Sequence, residues 1–240
     1  MEDLPFCACD DPMTSLTIHT YGPRAVLLEW NDDDTSIGDA PLRFSEWARR
    51  DDTLSGLAEE IVPGARTVLV VHRPGVGDDV RRVAASFDPA SSSLRSGRQH
   101  EIPVNYDGED LAAVAAMIGS SVADVVAMHS AATYRVAFCG FAPGFGYLTG
   151  LDSRLHVPRR ETPRTKVPAG SVAIASEYSA VYPHSSPGGW HLLGTTTTAM
   201  WDVERMPPSL LQPGDTVRFI VNTCQVNSVP VNEAGGKEDR

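Results

Sequence analysis

Four cations, Arg159, Arg160, Arg164 and Lys166, fall within one short stretch of a chain whose net charge is −11. A guanidinium presents a planar fork of donors that grips a carboxylate, carbamate or phosphate through two parallel hydrogen bonds. Such groups clustered in an acidic protein point to an anion, whether a substrate, a carboxylated intermediate or the acidic surface of a partner. Arg164 is the first candidate, because Pro163 and Pro168 restrict the backbone around it before any ligand arrives. Arg160 is the second. A solvated charged loop is the plain alternative. Further on, Ser186-Pro187-Gly188-Gly189 reads as a turn whose glycines permit close backbone approach. Ser171 and Ser186 are hydroxyls of the same stretch. Neither stands in G-x-S-x-G, and the nearness of His184 and His191 in sequence is not a triad geometry. Tyr147 adds an aromatic surface. Arg164, Arg160, Ser171, Ser186, Gly188, Gly189 and Tyr147 are therefore the candidate substrate-binding residues, and no catalytic residue is assigned.

Other chemistries lack their residues. His72, His100, His129 and His156 have no ligand spacing, and Cys7-Ala8-Cys9 has no companion histidine, so no metal site is expected. Cys139 and Cys224 sit in apolar runs and read as small core residues. Gly75-x-Gly77 falls short of a G-x-G-x-x-G phosphate loop. The carboxylate pairs Asp51-Asp52 and Asp78-Asp79, like the run Asp32–Asp34, lie in turns and read as solvated surface. An acidic chain with a pI near 5.0 does not suit a phosphate backbone or an anionic membrane. No apolar run approaches the roughly 18 residues of a membrane span. The N-terminal MEDLPFCACDDP is acidic where a signal peptide is basic, so a cytoplasmic location is expected.

The elements that must hold these residues are short. Phe138–Thr195 is rich in Gly and Pro interleaved with aromatics, a pattern of tight turns joining short strands. Before it, Thr17–Glu29 reads as strand, Gly-Pro turn and strand, followed by an acidic turn at Asn31–Asp34. Apolar spacing predicts a helix over Leu42–Ile61 closing on Pro63-Gly64, a strand over Thr67–Val71, and a helix over Val76–Phe87. Asp88–His100 is polar, Ser-rich and aperiodic, and reads as a linker. Glu101–Tyr106 is a strand. Asp110 is placed to cap a helix over Leu111–Ile118, ended by Gly119. Ser121 to Asp124 resembles a capping box opening a helix to about Ser130. Strands follow at Tyr134–Cys139, Val172–Ala175, Ala180–Tyr182, Trp190–Thr195 and Thr216–Val221. The expected organisation is a tail over 1–13, a small α+β domain over 14–90, a mainly-β barrel domain over 98–225, and a polar tail over 226–240.

Three blocks carry a family resemblance: Gly140-Phe141-x-Pro143-Gly144-Phe145-x-Tyr147-Leu148, Pro158-Arg159-Arg160-x-Thr162-Pro163-Arg164-x-x-Val167-Pro168-x-Gly170-Ser171-Val172, and Tyr182-Pro183 with Ser186-Pro187-Gly188-Gly189-Trp190 and Gly194-Thr195. In order and spacing the chain resembles the family of allophanate hydrolase subunit 1 and the B-type subunit of 5-oxoprolinase, which also includes a bacterial inhibitor of a sporulation kinase. The resemblance is fainter over Ile102–Ala131 and weak before Gly97. It implies a cyclophilin-like barrel for the C-terminal half and an α/β sandwich for the N-terminal half. It also implies a subunit of a hydrolase acting on a C–N bond or of a carboxyltransferase-like complex, supplying part of a substrate site beside a subunit 2-type partner, the two together resembling the carboxyltransferase portion of urea carboxylase, and, in 5-oxoprolinase, a third subunit. ATP would be used by the complex, with no cofactor bound by this chain, and the chain alone would be inactive. One departure stands out. Ser176-Glu177-Tyr178 occupies the place of the family's usual Gly-Gly-Gln. The competing readings are a regulator of a sensor histidine kinase and a stand-alone small-molecule-binding barrel. A prolyl isomerase reading would rest on fold analogy alone.

Overall fold

The computed structural model describes residues 16–30, 39–89, 92, 94 and 97–222. The expectations for both tails, for Asn31–Asp34, and for Cys7, Cys9 and Cys224 lie outside the described residues. In chain order the elements are β1 (Leu16–Thr20), β2 (Ala25–Trp30), α1 (Ala40–Ala48), α2 (Leu54–Leu57), β3 (Ala58–Pro63), β4 (Thr67–His72), α3 (Gly77–Ala84), β5 (Gln99–Val104), α4 (Leu111–Met117), α5 (Val122–Ala131), β6 (Tyr134–Cys139), β7 (Gly146–Thr149), β8 (Arg164–Val167), β9 (Ser171–Ala175), β10 (Tyr178–Val181), β11 (Ser186–Gly188), β12 (His191–Thr195) and β13 (Thr216–Val221). The chain is mixed α/β. It divides into two compact units, one made of Met1–Gln99, Arg135–Thr149 and Trp201–Thr216, the other of His100–Tyr134, Gly150–Met200 and Val217–Arg240.

The first unit contains an antiparallel sheet in the order β1-β2-β4-β3. Val26 lies opposite Val70 and Leu28 opposite Val68. The two-residue period of a strand sends all four side chains to one face. There they are buried with Phe44 and Ala48 of α1, Val80 and Ala84 of α3, and Phe87. Each such Val, Leu or Phe side chain contributes about 1.5–3 kcal/mol on burial. Leu28→Ala would therefore cost about 2–5 kcal/mol.

One expectation is corrected in this unit. The helix read over Leu42–Ile61 stops at Ala48, resumes for the single turn Leu54–Leu57, and gives way to the strand Ala58–Pro63. Gly56 lies inside that turn, where a glycine costs about 1 kcal/mol relative to alanine. Ile61 and Val62 are β-branched and pair with Val70 and Leu69. Pro63-Gly64 closes a hairpin, with the Gly64 amide donating to the Thr67 carbonyl at 2.7 Å, and does not end a helix. The same unit holds the β6–β7 hairpin, whose connecting loop contains Phe141 at φ 65° and Gly144 at φ 82°.

In the second unit, β9 lies between β12 and β10, β13 lies beside β5, and β8 and β11 form a separate two-stranded ribbon. All five residues of β9 are buried. The α4–α5 pair follows the sequence closely. Gly119 ends α4 at φ 64°. Ser121 and Asp124 form a complete capping box at the start of α5, satisfying two amides that the first helical turn leaves without partners.

Candidate substrate site

The ribbon that carries the arginines is built by a return of the chain on itself. Arg164 pairs with Gly188 and Val167 with Ser186 across β8 and β11. Just outside it, the Arg160 amide donates to the Gly189 carbonyl at 2.8 Å, and His191 Nε2 donates to the Pro158 carbonyl at 2.9 Å. Residues 158–167 thus run antiparallel to 186–191. Gly188 has a packing reason to be glycine, since a Cβ there would lie 2.3 Å from the Tyr182 hydroxyl oxygen.

Asp110 is the hub of this arrangement. Its Oδ2 accepts from Arg164 Nη1 at 2.8 Å and its Oδ1 from Arg164 Nη2 at 2.9 Å, a two-pronged pair. Oδ1 also accepts from Arg160 Nη1 at 2.7 Å. Oδ2 accepts from the Leu192 amide at 2.8 Å, tying the carboxylate to β12. Glu109 Oε2 receives a further bond from Arg164 Nη2 at 3.0 Å. The loop before Asp110 lies flat on β12, with the Gly108 amide 3.1 Å from the Leu193 carbonyl. A Cβ at Gly108 would come within 2.2 Å of the Leu192 oxygen. Asp110 was expected to cap α4 with its side chain. It stands at the N-cap position but makes no side-chain cap bond. Two guanidinium groups and a β12 amide occupy both its oxygens instead.

Burial pushes the Asp110 carboxyl upward, but the hydrogen bond from Arg164, the Leu192 amide and the charges of Arg164 and Arg160 together hold it below its ordinary value. The Arg164 guanidinium is raised for the reciprocal reason, led by its bond to Asp110. The cluster is thus held ionised, with Asp110 buried, Arg164 mostly buried and about one third of the Arg160 side chain exposed. Arg164 spends its fork on Asp110, so its geometry suits a frame more than an open hand. Arg159 and Lys166 are exposed beside it.

Of the other candidates, Gly188 faces Arg164 on the ribbon, and Gly189 faces Arg160 just outside it. Ser186 lies in β11 and is half-buried. Ser171 is buried, and its hydroxyl donates to the Pro168 carbonyl at 2.8 Å. Tyr147 belongs to the other unit, where it stacks on Phe138 at 4.3 Å and meets the edge of Phe145 at 5.0 Å.

Two features escaped the sequence reading. Asp110 and Glu109 lie some fifty residues before their arginines, and no local pattern links them. The second feature is a buried network on α5. His129 Nδ1 meets the Tyr106 hydroxyl at 2.8 Å and Nε2 meets the Ser179 hydroxyl at 2.9 Å. The Tyr134 hydroxyl donates to the His129 carbonyl at 2.8 Å, and Phe219 stacks on the ring at 4.7 Å. Burial lowers the His129 imidazole to about 3, so it is neutral at physiological pH. The signal available was the four-residue spacing of Val125 and His129, the buried face of α5. Among the described residues no group of three His, Cys, Asp or Glu side chains could hold a metal ion.

The model of the carboxyltransferase domain, subdomain C and D, matches residues 16–211. The chain belongs to this family. Curated relatives of this family member include the B-type subunit of 5-oxoprolinase from Escherichia coli O157:H7, 43% identical over 67% of this chain and 77% of the relative. The counterpart of the same name from Haemophilus influenzae is 52% identical over 61% of this chain and 70% of the relative. The resemblance read from the sequence therefore holds. Among solved structures, TTHA0988 aligns with TM-score 0.70 and 35% identity, covering 83% of this chain but only 40% of that one. The aligned part of the chain thus spans two fifths of that protein. Urea amidolyase of K. lactis, at 21% identity and TM-score 0.67 over 91% of this chain and 15% of that one, shares the fold. The departure at Ser176 has a structural face. Ser176 takes φ 51° in the turn from β9 to β10, a backbone region where glycine fits without strain.

Proposed function

We propose that this chain supplies part of the substrate site of a multi-subunit hydrolase that acts on a C–N bond, with 5-oxoproline as the first substrate to test and allophanate or urea as the next. The observation that carries the reading is the ionised Asp110–Arg160–Arg164 frame, which fixes the Gly188-Gly189 ribbon against β12. Relatives named as B-type 5-oxoprolinase subunits, at 43–52% identity, support the reaction class. In this reading the frame positions and the ribbon receives. The exposed Arg159 and Lys166 attract a carboxylate, while Arg160 and Arg164 hold the wall it meets. A subunit 2-type protein completes the site, a third subunit takes part in the 5-oxoprolinase form, and ATP is consumed by the assembly. The cyclophilin-like barrel, the α/β sandwich and a cytoplasmic location belong to the same proposal. No single helix among the described residues is long and apolar enough to cross a membrane.

The test is reconstitution. The chain is co-expressed with a subunit 2-type protein and a third hydrolase subunit from the same source. Turnover of 5-oxoproline, and separately of allophanate or urea, is measured with and without ATP. The expected result is ATP-dependent turnover of one substrate by the assembly and none by the chain alone. Turnover by the isolated chain, or none by an intact assembly on any of the three, contradicts the proposal.

A further inference from the structure

The first sequence block, Gly140 to Leu148, borders a cavity that the arginine frame does not use. About 390 Å³ of space is walled by the β6–β7 loop and by residues of 201–213, among them Cys139, Phe141, Pro143, Trp201, Leu211 and Pro213. All of these belong to the first unit. A volume of this size lies at the lower end of small-molecule sites. Two aromatic rings of the wall also reach solvent, with Phe141 61% and Trp201 41% exposed. Large apolar side chains gathered at one exposed hollow mark a binding surface more often than chance exposure does.

Phe141 is held at this hollow against a backbone preference. Its φ of 65° is a left-handed value that a bulky aromatic residue resists. The Ala142 amide donates to the Gly140 carbonyl across it at 2.7 Å, a three-residue turn whose positive-φ form is rare and strained. The next turn is relaxed. There the Phe145 amide donates to the Ala142 carbonyl at 3.0 Å, with Pro143 first and Gly144, at φ 82°, second, the residues that a type II turn favours. Glycine at 141 would take its conformation without strain. The ring is therefore what the strained turn presents, with Phe145 edge-on to it at 5.1 Å. Strained backbone of this kind collects at ligand-binding positions.

The wall also limits what can bind. Among the described residues that line the cavity, Cys139 has the sole ionisable side chain. Burial pushes its thiol up to about 11, so it is neutral at physiological pH. The Ser209 hydroxyl donates to the Leu211 carbonyl at 2.8 Å, and Cys139 Sγ approaches the same oxygen at 3.8 Å, so both hydrogens are spent within the wall. An anion such as 5-oxoproline or allophanate meets no cation here, and a cation meets no carboxylate. Two aromatic rings beside Pro143, Leu211 and Pro213 suit a flat apolar body, which they can meet by stacking or edge contact. We propose that this cavity binds a small uncharged aromatic compound of one or two rings, held against Phe141 and Trp201. The site is built from the first unit alone, and the proposal does not rest on the functional reading of the arginine frame.

The test is a titration of the 15N-labelled full chain with indole, followed by NMR. Indole-3-acetate, the same ring with a carboxylate, and tetramethylammonium, a cation that aromatic faces can hold, are titrated in parallel. Indole is expected to give saturable shifts centred on the amides of 139–144 and on the Trp201 side-chain N–H. The two ions are expected to bind at least about tenfold more weakly. Phe141→Gly and Trp201→Ala are each expected to weaken indole about tenfold, the equivalent of one lost ring contact. Phe141→Ala separates ring from strain. It also lacks the ring, and because alanine resists the positive φ it is expected to melt below Phe141→Gly. Shifts that do not saturate, or that are not centred on this cavity, overturn the proposal. So does wild-type affinity for indole in a folded Phe141→Gly or Trp201→Ala chain. Either ion binding as tightly as indole overturns the assignment to an uncharged ligand.

Discussion

Two polar networks in the same unit solve the problem of burial in opposite ways. The Asp110 cluster keeps its charges. Its carboxylate is buried but answered by two guanidinium groups and a backbone amide, and it stays ionised. The His129 network gives its charge up. With only the hydroxyls of Tyr106 and Ser179 as partners, nothing offsets desolvation of an imidazolium, and the ring is neutral. Partner chemistry contributes to the difference: the carboxylate has two guanidinium groups beside it, and the ring has only hydroxyls. A buried charge persists where opposite charge and hydrogen bonds repay its lost hydration, and otherwise the group neutralises. The charged network is partly open to solvent through Arg160, whereas the His129 ring is fully buried.

The strongest way to break this contrast is to remove the charged hub. Asp110→Ala leaves two guanidinium groups facing each other without their carboxylate. Breaking a buried pair on one side costs about 3–5 kcal/mol. Denaturant unfolding is expected to show a loss of that order, and Asp110→Asn, which keeps an acceptor, a smaller one. A loss under about 1 kcal/mol for Asp110→Ala would mean that the frame contributes little to holding the ribbon.

Acid separates the two networks by pH. The His129 pKa is lowered on folding, so the unfolded chain takes up its proton first. The stability due to a neutral His129 is fully present above about 6.5 and declines as pH falls toward about 3, by about 1.4 kcal/mol per pH unit. Asp110 is also lowered on folding, so its contribution is present above the ordinary carboxylate value and is lost only as pH falls below it. His129→Phe is expected to flatten the upper window, between pH 6.5 and about 4, and to leave the lower one. An unchanged slope in the upper window would show that His129 is not its source.

The smallest expected effect is in the neutral network. Tyr106→Phe removes one neutral hydrogen bond to His129 and is expected to cost about 1 kcal/mol, read as a small drop in the unfolding midpoint. A loss as large as that of Asp110→Ala would erase the distinction drawn between the two networks.

How much of this was legible in the sequence depended on range. Local signals were read well. The Gly-Pro turn before Ala25, the capping box at Ser121 and the stop at Gly119 act within a few residues, and all are present. Where a local pattern served two structures the reading failed. Ile61 and Val62 continue a helical spacing but are equally good strand residues, and pairing with β4 decided the matter. Asp110 shows the same limit at the site. A carboxylate before a helix is a fair cap by local rules, and only the fold brings Arg160, Arg164 and Leu192 to it. The arginines stand out as candidates by type and spacing, but their commitment to Asp110 does not, because it is a contact across some fifty residues.

The claim that the Asp110–Arg164 pair holds a working site is tested most directly by Arg164→Lys in the reconstituted complex. A lysine keeps the charge but cannot make the two-pronged bond. Assembly is measured by size-exclusion chromatography, and kcat/KM for 5-oxoproline on the same samples. The account expects intact assembly with kcat/KM reduced about tenfold, equivalent to about 1.4 kcal/mol. Full kcat/KM in an assembled Arg164→Lys complex would contradict it.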